Sequence, residues 1–373
     1  MRMKRWAILS LAIACQAQQE TPDAALVKVR ATVAESLGHL PNLTCTETIR
    51  RSLWYKSTAT PEMVDTVRVE VAYVDRKELY GWPGASRIDE PDLAKLVGGS
   101  VANGYFALFL NNIFLVKTTT FHYAGHAKLE GAEMLRYEYR VPKEAGAYRL
   151  ASARGAALVG YHGSFWVRAD TASLARIAVI ADKVPTDLGY SAATSTLDFG
   201  EATVGARGYL VPMNVEVNFT DTTGNQHRSE LNFRAWHEFV GESSVKFNLP
   251  ARPPSIEVPR EFSVDVDLET DLDSATLAAG DPMAAVLRGD IQADGRMVVP
   301  KGARVFGRVA RFAKNGPAYV LEFNFTALDF EGGHVELAGR ENRVTVENWA
   351  RISKSASIHL ARGTHLNWHS QAK

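Results

Sequence analysis

The chain of 373 residues predicts a mainly β protein: an antiparallel half-barrel with an N-terminal helix and a short helical lid, followed by a second small β-barrel or β-sandwich. Three observations carry this reading. Long runs alternate apolar and polar residues with period two, the habit of sheets packed on one face and wet on the other. One amphipathic run with a helical start precedes them. One segment near residue 110 is apolar all round and breaks the alternation.

The elements follow in order. Residues 1–5 are short and basic, 6–14 are apolar, and Ala12-Ile13-Ala14 offers a small-x-small cleavage site before Cys15. This order predicts an export signal over 1–17, too short to span a bilayer. Cys15 stands where a bacterial lipoprotein carries its acylated cysteine. It is therefore the lipidation candidate and a candidate membrane tether, with plain cleavage at Cys15 or Gln18 as the alternative. The expected location is the periplasm or the outer-membrane surface.

Thr21-Pro22-Asp23 supplies a cap, a proline suited to the first helical position and an acid at the positive end. Leu26, Val29, Val33 and Leu37 continue at helical spacing, with Gly38 read as the left-handed end and Pro41 as the stop. Strands follow: Val67, Val69, Val71 and Tyr73, then Leu135, Tyr137, Tyr139 and Val141, then Val215, Val217 and Phe219, then Leu231, Phe233 and Ala235. The turn Asp221-Thr222-Thr223-Gly224-Asn225 makes 213–239 a hairpin. Between these runs, 92–97 predicts a short helix ended by Gly98-Gly99. Residues 105–115 predict a second helix with almost no polar face, which is buried, covers an apolar cavity or meets a membrane.

Four prolines in 250–259 mark a semi-rigid linker over 250–260. It separates a first domain over 21–249 from a second over 261–373. There Phe262, Val264, Val266 and Leu268 alternate, and Asp294-Gly295, Lys301-Gly302, Asn315-Gly316 and Gly332-Gly333 punctuate further short runs as turns. A last strand is expected near 358–368.

Charge is balanced, with 42 basic and 42 acidic residues; loss of Arg2, Lys4 and Arg5 with the leader would leave a small acidic excess. That argues against nucleic acid as a partner. The motifs HExxH, GxSxG, a P-loop and CxxC are absent from the sequence, and no cofactor or metal is expected. His122 with His126 and His365 with His369 have i, i+4 spacing, but the first pair sits in a β context and neither has an evident third ligand. Asp265, Asp267, Glu269, Asp271 and Asp273 form an acidic ladder, read as the solvated face of a strand. His162 and Ser164 share a strand face, without an evident oxyanion hole. No catalytic residue is expected. Cys45 has no obvious partner and is read as a buried thiol.

Gly163-Ser164-Phe165-Trp166-Val167, Asp170-Thr171 and Leu174-Ala175-Arg176-Ile177, behind one N-terminal helix, resemble the half-barrel of the periplasmic lipoprotein-carrier (LolA-like) and sigma-factor-regulator family. That resemblance implies an apolar ligand held between the concave sheet and a lid, with Phe106, Phe109, Ile113 and Phe114 as lid residues. Residues 268–274, Ala279-Gly280-Asp281-Pro282, Val299-Pro300-Lys301-Gly302-Ala303 and Gly307-Arg308-Val309 resemble the β-domain of TrbI-type secretion and conjugation proteins. This chain lacks that family's transmembrane helix and pore-forming helical pair, so pore formation does not carry over. The whole arrangement is also similar to secreted proteins of Acidobacteria. The expectation is a non-enzymatic envelope protein that binds an apolar ligand or a partner protein. A scaffold making only protein contacts and a hydrolase with an unrecognised site are the alternatives.

Overall fold

The computed structural model describes residues 21–372, leaving out 59, 86, 99–103, 146–147, 153, 240–256, 316–317, 338–339, 342 and 346–358. The leader with Cys15, and linker residues 250–256, lie outside the described residues.

The protein is mainly antiparallel β. Its first half contains α1 (Pro22–His39), β1 (Leu43–Trp54), β2 (Glu62–Val74), β3 (Lys77–Gly81), α2 (Leu93–Val97) and α3 (Leu108–Leu110). After these come β4 (Thr120–Leu129), β5 (Ala132–Val141), β6 (Tyr148–Ser152), β7 (Gly155–Val159) and β8 (Tyr161–Arg168). The half ends with β9 (Leu174–Ala181), β10 (Tyr190–Val204), β11 (Arg207–Asp221) and β12 (Gln226–Glu238). The large sheet runs β4-β5-β8-β9-β10-β11-β12-β1-β2-β3, each neighbour antiparallel. The hairpin β6-β7 stands apart.

Alternation places the inward residues as expected: Val67, Val69, Val71 and Tyr73 on β2 and Leu135, Tyr137, Tyr139 and Val141 on β5 are buried. The β11-β12 hairpin is closed by Asp221, whose carboxylate accepts from the backbone N–H of Thr223 (2.8 Å) and Asn225 (2.9 Å). One alternation fails. Ala235 is exposed and left-handed, because β12 bulges where Thr44 pairs His237 and Thr46 pairs Arg234. The extra residue reverses the facing beyond it, and Trp236 turns inward instead.

Helix α1 is capped by Thr21, a contact worth about 1 kcal/mol, and buries Ala25, Val29 and Val33. Tyr137 Oη donates to Pro22 O (2.6 Å) and Arg30 Nε to Phe114 O (2.9 Å), tying the helix to β5 and to the segment after α3. Gly38 does not supply a left-handed end. The helix passes through it to His39, and extended Leu40 before Pro41 ends it. Asp92 caps α2, and Gly98 closes it at φ 68°.

The second half contains β13 (Glu261–Leu268), β14 (Leu272–Asp273), β15 (Pro282–Leu287), β16 (Ile291–Ala293), β17 (Arg296–Val299) and β18 (Arg304–Asn315). It continues with β19 (Ala318–Phe330), β20 (Gly333–Glu336), β21 (Arg340–Glu341), β22 (Arg343–Thr345), β23 (His359–Leu360) and β24 (His365–Ala372). The ladder runs β24-β13-β15-β18-β19. Because β21 pairs with β24 and β22 with β19, it comes round on itself as a small barrel. Trp368 fills its centre, edge-on to Phe262 (4.9 Å) and Phe325 (4.8 Å).

The acidic ladder is not one strand face. β13 ends at Leu268, so Glu269, Asp271 and Asp273 fall beyond it. These acids meet partners: Asp267 pairs with Arg288 (3.2 Å), Glu269 with Arg304 (3.0 Å), and His365 lies between Asp265 (3.4 Å) and Asp267 (3.5 Å).

Buried side chains form two clusters, one centred in each half, with Ala279 of the second half packed into the first, and backbone bonds join the halves. The half of β2 beyond the reach of β3 receives residues 276–281. Ala279 N donates to Thr66 O (2.8 Å) and Arg68 N to Ala279 O (2.7 Å). The Arg68 guanidinium pairs with Asp281 and donates to Thr276 O (3.0 Å). Gly280 is required here: a Cβ would lie 2.3 Å from Arg68 O.

Candidate functional site

The concave face of the first sheet is covered by residues 104–115. The expected greasy helix is shorter than its composition suggests. Residues 105–107 form a turn, α3 supplies three α-helical residues, and Asn111–Leu115 is a single π turn. The wider π turn buries Asn112, Ile113 and Phe114 together.

Phe106, Phe109, Ile113 and Phe114 are all at most 2% exposed. Phe106 stacks on Tyr73 (5.7 Å) and meets Phe233 (5.6 Å) and Trp236 (5.4 Å) edge-on. Phe109 meets Tyr148 (5.3 Å) and Tyr161 (5.6 Å), and Phe114 meets Phe165 (5.0 Å). Aromatic pairs of this kind add about 0.5–1.5 kcal/mol each beyond area burial. The four residues thus face the sheet, and other residues of the same segment face open space.

That space is a cleft of about 750 Å³ between the C-terminal part of α1 and the lid. Ala34 and Leu37 form one wall, and Ala107, Leu108 and Leu115 the other; Tyr73, Arg76, Lys77 and Glu78 lie at the β2-β3 end. A second cleft, about 700 Å³, opens on the other side of α1, near the β10-β11 end.

Glu78 holds the start of the lid. Its carboxylate accepts from Gly104 N (2.7 Å), Phe106 N (2.9 Å) and Tyr80 Oη (2.7 Å). Burial pushes its pKa up, while those three donors pull it down; the net direction is upward. Beneath the lid lies a second carboxyl, Glu47 on β1, 2% exposed and with no partner for Oε1. Burial first and the nearby Glu78 second raise its pKa well above the ordinary glutamate range, which disfavours its charged form. The same interior raises the hydroxyls of Tyr80 and Tyr105 and pushes Tyr148 up to about 12, in each case first through burial. Cys45, also buried, has its thiol raised by burial and then by Glu47 and Glu78. The strand reading of later runs did not reach β1 or β3, so both carboxyls escaped it. The signal was present: in Leu43-Cys45-Glu47-Ile49 a glutamate occupies an inward register position.

The other sequence candidates do not converge. His162 Nδ1 is 2.7 Å from Asp182 Oδ1, whereas Ser164 Oγ accepts from Arg136 Nε (3.2 Å), so the serine and the histidine have separate partners. His122 and His126 are exposed on β4. Among the described residues no group of three His, Cys, Asp or Glu side chains is placed to hold a metal ion, and no helix is long and apolar enough to cross a membrane.

No protein-family profile and no curated protein matches the chain. Solved structures do show similarity. A domain assigned to outer membrane lipoprotein sorting, from Vibrio parahaemolyticus, is 11% identical with a TM-score of 0.31, covering 60% of this chain and 97% of that one. A DUF1329 family protein from Desulfovibrio piger is 13% identical with a TM-score of 0.30, covering 59% and 95%. A LolA superfamily protein from Nitrosomonas europaea is 10% identical with a TM-score of 0.29, covering 58% and 93%.

Proposed function

We propose that this is an exported, non-enzymatic cell-envelope protein whose first domain, 21–249, holds an apolar ligand between α1 and the lid. The observation that carries the reading is the cleft of about 750 Å³ walled by Ala34, Leu37, Ala107, Leu108 and Leu115. Its volume falls within the roughly 300–1,000 Å³ of small-molecule sites, which are typically apolar with a few polar groups. Lifting 104–115 breaks no strand ladder, since none of these residues is in a strand. Phe106, Phe109, Ile113 and Phe114 would then pass from the sheet to the ligand. In this reading residues 261–373 form a second unit that makes protein contacts, and Cys15 is the candidate tether.

The test is binding of an apolar fluorescent probe to the delipidated chain. Leu37→Asp and Leu108→Asp should each weaken it at least about tenfold, the loss of roughly 1.4 kcal/mol. Saturable binding that both variants leave unchanged would place the ligand elsewhere, and no binding at all would remove the reading. The mass of the N-terminus after expression in a bacterial host tests export: an acylated start at Cys15 supports the tether, an unmodified one ends it.

A further inference from the structure

We propose that the cleft selects an amphiphile with one apolar chain and an anionic head, a long-chain carboxylate, held at its mouth by Arg76 and Lys77. This rests on the apolar-ligand reading above and adds the class of head group. The cleft carries three charged residues on its lining: Arg76, Lys77 and Glu78. Glu78 is engaged by three donors, Gly104 N, Phe106 N and Tyr80 Oη. Arg76 and Lys77 are exposed, and among the described residues no carboxylate pairs with either. Two cations therefore stand at one end of a cleft whose walls are alanine and leucine.

The backbone adds a second observation. Val74 pairs with Lys77 across a two-residue turn, in which Asp75 (φ 50°) and Arg76 (φ 64°) are both left-handed. Such a turn favours Asn-Gly, and a glycine at 76 would relieve the conformational cost that arginine carries. An arginine standing where glycine fits better points to a use for its side chain. The turn is tied down by Asn42 Oδ1, which accepts from Asp75 N (3.2 Å). The Arg76 charge also acts on the Tyr73 hydroxyl, opposing the upward shift that burial causes first and Glu78 second. Its field therefore reaches a residue on the cleft lining. A carboxylate at the mouth would satisfy both cations while its chain lies along Leu37, Leu108 and Leu115.

The experiment compares palmitate with hexadecanol, binding to the delipidated full chain by titration calorimetry. Palmitate should bind about tenfold tighter, or about 1.4 kcal/mol, and the gap should shrink in about 1 M salt, where the screening length falls to roughly 3 Å. The double variant Arg76→Gly, Lys77→Gln should close the gap by weakening palmitate binding about tenfold. Its glycine suits the left-handed position, so the fold is preserved. Equal binding of the two probes by the unmodified chain overturns the head-group assignment and leaves the apolar-ligand reading standing. So does a palmitate preference that survives the double variant. Failure of both probes to bind removes both readings.

Discussion

Glu47 stands in surroundings that disfavour its charged form. It is buried in the concave face with one carboxyl oxygen unpartnered, and burial followed by Glu78 raises its pKa well above the usual range. A carboxyl whose pKa is higher folded than unfolded binds more protons in the native state. Its favourable contribution is present below the unfolded pKa and lost as pH rises through the folded one. Glu47→Gln should therefore gain stability over the parent as pH rises from the ordinary glutamate range, and urea midpoints at successive pH values would show a difference that widens upward. A flat difference would mean that the charged form of Glu47 is not disfavoured. Gly163 carries a different constraint. A Cβ there would lie 1.9 Å from Ala178 O and 3.2 Å from Tyr139 Oη, while Tyr139 Oη donates to that same Ala178 O (2.9 Å). Gly163→Ala must push β8 from β9 and should cost about 2–4 kcal/mol, read as a lower urea midpoint. A shift below ~0.5 kcal/mol would show that the strands part freely.

At the scale of the element, the lid depends on a residue remote in sequence. Glu78→Ala removes the acceptor for Gly104 N and Phe106 N, and each orphaned donor costs roughly 1–3 kcal/mol. Hydrogen exchange at Gly104 and Phe106 should speed up at least about tenfold, with the β5-β8 ladder unaffected; unchanged exchange would rule out a latch at Glu78. This dependence was not legible in the sequence, because nothing local to 104–106 names its acceptor. What was legible has a local cause. Thr21 caps the helix it precedes, and period-two alternation located β2, β5, β11 and the start of β12. The apolar run 105–115 was left open between burial, a cavity cover and a membrane contact; Phe106, Phe109, Ile113 and Phe114 are buried while Leu115 is exposed, and composition does not distinguish an α-helix from a turn, a three-residue helix and a π turn. The inserted residue at Ala235 and the helical path through Gly38 were likewise hidden, since both are decided by packing partners. So was the open side of the lid: its apolar residues all look alike until the sheet fixes which of them face inward.

At the scale of the molecule, the two core clusters are joined by backbone rather than by side chains alone. Residues 276–281 complete the edge of β2 through Thr66 and Arg68, and Asp281 both pairs with Arg68 and accepts from Ala278 N (2.8 Å). Calorimetry should record one unfolding transition for the parent chain. Asp281→Ala leaves Arg68 without its partner, which should cost about 2–4 kcal/mol and separate the melting of the two halves. A single transition in the variant would mean that the backbone bonds suffice. Cys45 gives this molecule an internal clock. It is the one thiol among the described residues, buried with its thiolate disfavoured. An alkylating reagent therefore reaches it only when the core around it opens. The pace of that labelling, with and without an occupant in the cleft, times the opening of the protein without any probe having to be attached.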